Sequence, residues 1–77
     1  MYTCVNVGFV NKFNEQAETQ LVTKDISTKA GKEEMQELLS SLSEEMDTDF
    51  GPNFKNVLYL DVVAMASSME ELEAMGY

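Results

Sequence analysis

The chain has 77 residues, fourteen acids, five lysines, and neither arginine nor histidine, for a net charge of −9. That balance excludes recognition of DNA or RNA through phosphates, which depends on lysine and arginine displacing counterions. It also disfavours anionic membranes, and the most apolar run, Val57 to Ala66, is about half a bilayer span and holds Asp61.

A single domain of this size draws only about 3 to 5 kcal/mol from one hydrophobic core. Cys4, the one cysteine, cannot form an internal disulfide, and zinc lacks its usual histidine. Dimerisation is therefore the expected reinforcement. The opening MYTCVNVGFV has neither the basic start nor the long apolar run of a secretory signal, so the expectation is a soluble, cytoplasmic protein. The acidity is uneven along the chain. Residues 1 to 32 hold four lysines against three acids, a balance of +1, and residues 33 to 77 hold Lys55 against eleven acids, a balance of −10.

From Tyr2 to Phe13 apolar and small or polar residues alternate, with Val5, Val7 and Phe9 on one face and Cys4, Asn6 and Gly8 on the other. This is the period of a half-buried strand. The polar cluster Asn14 to Ala17 reads as a hairpin connection, and Glu18 to Ile26 as the returning strand, at an edge because Lys24 and Asp25 follow a weaker pattern. Ser27 and Thr28 are good helix initiators, and Gly31 with Glu34 three residues later offers a second start.

Lys32 to Met46 is the strongest signal in the chain. Met35, Leu38, Leu39, Leu42 and Met46 recur at intervals of three and four, which makes one apolar stripe on an α-helix. Glu33, Glu37, Ser40 and Glu44 fall on the opposite ridge, and Glu44, Glu45, Asp47 and Asp49 gather at the C-terminal end, where the helix dipole disfavours carboxylates. Gly51 and Pro52 then stop the helix.

Val57 to Met65, rich in β-branched and large apolar residues, reads as a central or near-central strand. Asp61 would share a face with Tyr59 and Val63, and Leu58, Leu60, Val62 and Ala64 the other, next to the long helix. Ser67 and Ser68 stand before Glu70 and Glu71 in two overlapping capping boxes, opening a short helix with Met69, Leu72 and Met75 on one side. The order is ββαβα: an α+β domain with a three-stranded, mainly antiparallel sheet in the order 2-1-3, one long amphipathic helix on one face and a short C-terminal helix. The second sheet face, with Tyr2, Cys4 and Val10, is expected to meet that short helix, a second copy or a target protein.

No catalytic constellation stands out. There is no histidine to activate a serine or Cys4, no nucleophile elbow, and no glycine-rich phosphate loop, so no enzyme activity and no cofactor are expected. Glu45, Asp47 and Asp49 alternate like the start of a calcium loop, but Phe50 and Asn56 stand where that loop needs glycine and glutamate, so no metal is expected either. What remains is a binding protein whose Glu33, Glu37, Glu44, Glu45, Asp47 and Asp49 meet a basic surface on a partner protein, since such a field speeds association with cationic surfaces. One form is an inhibitor that displaces nucleic acid, in the manner of small acidic phage proteins, a comparison of size and charge alone. The alternative is homo-oligomeric assembly through the open sheet face, with the charge serving solubility.

Overall fold

The computed structural model describes all 77 residues, Met1 to Tyr77. In chain order it contains β1 (Tyr2–Val10), β2 (Gln16–Lys24), α1 (Lys29–Ser41), β3 (Val57–Ala66) and α2 (Met69–Ala74). The three strands form one sheet in the order β2-β1-β3, with β1 antiparallel to both neighbours. This is the ββαβα arrangement expected from the sequence, fully antiparallel. β3 lies at an edge of it, not at the centre.

The first strand stops at Val10 because Asn11 starts the turn. Its side-chain oxygen accepts from the backbone N–H of Phe13 and of Glu15, both at 3.0 Å. Asn14 takes the left-handed conformation (φ 61°) that asparagine tolerates better than most residues. The hairpin connection thus sits earlier than Asn14 to Ala17, and β2 begins two residues sooner than expected.

α1 starts at the first of the two candidate positions, with Thr28 as N-cap accepting from Gly31 N–H at 3.1 Å. It ends at Ser41, a turn before the apolar stripe runs out. The Ser41 hydroxyl donates to the Leu38 carbonyl at 2.8 Å, the competing bond by which serine loosens helices. The early stop leaves Glu44 and Glu45 just beyond the Leu42 C-cap, where they are exposed to solvent.

Met35 and Leu39 are fully buried against Val5, Val7 and Phe9 of β1. Leu38 and Leu42 are half-buried, and Met46 packs on the same core from beyond the helix. Phe50 is fully buried and meets the Phe9 ring edge-on, with centroids 5.2 Å apart. The segment from Leu42 to Asn56 is therefore the second half of the cover on this face. Gln36 pins it, accepting from Phe54 N–H at 2.8 Å and donating to the Phe50 carbonyl.

β3 meets β1 in three blocks, with register shifts between Cys4 and Val5 and between Gly8 and Phe9. Val63 and Leu58 are the extra residues, and each resets the alternation. Leu60 and Val62 oppose Val7 and Val5, on the α1 side, whereas Ala64 opposes Cys4 on the other face, contrary to simple alternation. On that second face Leu72 of α2 is buried with Cys4 and Ala66. Ser68 caps α2 by accepting from Glu71 N–H at 3.2 Å, and the Glu71 carboxylate returns to Ser67. Of the expected stripe only Leu72 is inside. Met69 and Met75 stay exposed.

Two substitutions probe this arrangement. A Cβ on Gly31 would lie 1.9 Å from the Asp25 carbonyl oxygen, so Gly31→Ala is expected to destabilise by about 1 to 3 kcal/mol, although helix propensity alone favours alanine by about 1 kcal/mol. Urea unfolding reads the sign. Phe50→Ala should cost about 3 to 5 kcal/mol, enough in a domain this small to abolish the cooperative melt seen by circular dichroism.

Candidate functional site

The structure divides the six carboxylates that the sequence grouped. Glu33 and Glu37 lie on the exposed side of α1 among lysines: Glu33 is 3.8 Å from Lys29 and lines a shallow depression with Lys29 and Lys32, and it lines another with Lys24, Glu34 and Glu37. Around the start of α1 the field is therefore mixed in sign.

Glu44, Glu45, Asp47 and Asp49 lie beyond the helix, in the segment that turns back toward β3. Two of them are held from within the chain. Asp47 is 3.2 Å from Lys12, and its carbonyl accepts from Lys12 N–H at 2.7 Å. Asp49 is 2.9 Å from Lys55 and accepts from Gly51 N–H at 2.9 Å. Glu44 and Glu45 are exposed and make no ion pair.

Lys12, Ser43, Glu44, Asp47, Thr48 and Asp49 line one open cleft. Its floor is rigid. Thr48 is buried, and its hydroxyl donates to the Met46 carbonyl at 2.9 Å; the Asn56 side chain donates to the Asp49 carbonyl at 2.7 Å; and Asp47 holds a left-handed backbone (φ 50°). The cleft presents carboxylates to a cation, with Lys12 as an internal competitor. Glu45, Asp47 and Asp49 do not converge, and no group of three metal-ligating side chains forms anywhere.

The remaining acids of the second half lie elsewhere. Glu70, Glu71 and Glu73 ride on α2, across the sheet from α1, and Asp61 faces the same way as Tyr59 and Gly8. The Tyr59 ring covers Gly8 so closely that a Cβ there would overlap it, and its hydroxyl donates to Glu18. That bond, more than the neighbouring charges, holds the phenol above its ordinary pKa. The second face is thus capped by α2 at one end and polar at the other.

Lys12 was invisible as a partner in the sequence because it reaches Asp47 only through the tertiary fold, whereas Lys55 pairs with Asp49 six residues away within one loop. Gln36 and Thr48 gave no signal at all. Comparison with protein-family models, with curated proteins and with solved structures finds no match for this chain. No helix is long and apolar enough to cross a membrane.

Lys55 and the Gly51 N–H hold Asp49 below its ordinary pKa of 3.8. A carboxyl whose pKa is lowered by folding stabilises the fold above the unfolded value, and that contribution is lost as pH falls through the folded value. In an NMR titration the Asp49 midpoint should lie below 3.8 and return toward it in Lys55→Ala, and Asp49→Asn should flatten the acid limb of the stability profile below about pH 4.

Proposed function

We propose that this protein is a non-enzymatic binding module that docks the segment from Glu44 to Asp49 on a basic surface of a partner protein. The observation that carries the reading is a carboxylate-lined cleft on a segment anchored by buried Thr48 and Phe50, with Glu44 and Glu45 exposed and unpaired. A net charge of −9 steers cationic surfaces toward it and repels nucleic acid. Basic protein surfaces commonly serve to hold nucleic acid, so the mode of action that fits is competition: the module occupies such a surface and keeps the nucleic acid away. Glu33 and Glu37, set among lysines, contribute less than the sequence pattern suggested.

A second reading, assembly of copies through the sheet, has its own support in the exposed apolar side chains of β3.

Glu44→Lys with Glu45→Lys is the cleanest test, because neither residue has an intramolecular partner to lose. Partners captured at low salt should elute as salt rises, and the double reversal should weaken their binding at least about tenfold. Lys12→Gln, which frees Asp47, should strengthen it at low salt. Capture that ignores both ionic strength and the reversal would overturn the acidic surface as the docking site.

A further inference from the structure

We infer that α2 is a lid over the second face of the sheet: it lifts at Ser67 and Ser68 while the main core stays closed, and so decides when the Cys4 thiol can be reached. Leu72 is the one buried residue of α2. It packs with Cys4 and Ala66, both buried, and Tyr2, Val22 and Ala64 edge the same small cluster. All five of those neighbours belong to the strands, so Leu72 is the only part of this core contributed from outside the sheet. Farther along the face, Asn6 is bonded to Gln20 at 2.9 Å and Gly8 lies under the Tyr59 ring, and neither holds α2.

Nothing polar ties the lid down. At its start Ser67, Ser68 and Glu71 bond only to one another. At its end Gly76 N–H donates to the Glu73 carbonyl and Tyr77 N–H to the Leu72 carbonyl, both at 3.0 Å, with Gly76 left-handed (φ 95°) as such helix ends require. No ion pair reaches Glu70, Glu71 or Glu73. A helix of six residues does not persist alone in water, so lifting Leu72 and unwinding α2 are one event. The opposite face is built differently: six buried side chains from β1, α1 and the segment after it interlock there, and α2 contributes none of them. Opening the lid therefore exposes one small cluster, and the rest of the fold has no reason to follow. While it is closed the thiol is covered, and burial also holds it above its ordinary pKa, which makes it a poor nucleophile.

Cys4 is the only cysteine, so the full chain reports on its own lid. Labelled with iodoacetamide and followed by mass spectrometry, Cys4 should react more slowly than in the urea-unfolded chain but faster than global unfolding allows. Its rate should rise only weakly with urea until the main transition. Leu72→Ala should speed labelling at least about tenfold and keep a cooperative melt. Ser68→Ala, which loses the cap, should speed it about fivefold and gives the same reading should Leu72→Ala unfold. Val7→Ala, or the milder Met35→Leu, weakens the main core and should lower the urea midpoint without changing the labelling rate in water. The Leu72 and Met75 amides should exchange hydrogen with the opening constant that labelling reports. Labelling that rises with Val7→Ala as much as with Leu72→Ala follows global unfolding and overturns the inference. So does a rate that Leu72→Ala leaves unchanged, a thiol as reactive as in the unfolded chain, or α2 amides that stay protected while Cys4 reacts.

Discussion

The structure depends on the packing of two unrelated pieces of chain against one stripe of the central strand. Val5, Val7 and Phe9 point to one side of β1, and Met35 and Leu39 cover them from the helix while Phe50 closes the lower end from the loop. Neither cover is sufficient, since α1 lies over β2 and reaches little of β3. The helix is placed over one side of the sheet, and Phe50 covers the part of the core it leaves open. Gln36 joins the two covers by bonding both Phe50 and Phe54, so the core and the loop form as one unit. With so little apolar material in a domain of this size, each contact carries an unusually large share of the stability.

The same device shapes the acidic surface. Phe50 and Thr48 are buried and anchor the segment between Ser43 and Asp49, and the Asp47 and Asp49 carboxylates are held by Lys12 and Lys55. The charge gathered in that segment is met in part by Lys12 from the hairpin and Lys55 from the approach to β3. The anionic second half of the chain does not form one anionic face, because α1 and α2 lie on opposite sides of the sheet. The concentrated part is local to the cleft.

The two register shifts of β3 also have a structural consequence. By resetting the alternation they turn Ala64 and Ala66 toward Cys4 and Leu72, building a second small core beneath α2. They leave Val62 and Met65 on the side of the main core but beyond its cover.

Much of this was legible in the sequence. Strand alternation in β1, the helical stripe through Met35 and Leu39, the serine cap before Glu71 and the β-branched run of β3 gave the element order, and connection rules gave the strand order, because these are properties of neighbours a few residues apart. What only the tertiary structure decided are relations between distant residues: Lys12 with Asp47, Phe9 with Phe50, Gln36 with Phe54, and the bulges that moved Ala64 across the sheet. Periodicity reports which side of an element is apolar. It does not report where an element meets its partner, because that is fixed by closing the core as a whole. The helix end shows the difference plainly: the apolar repeat runs on to Met46, yet the chain leaves the helix at Ser41 because burying Phe50 against Phe9 requires the turn there.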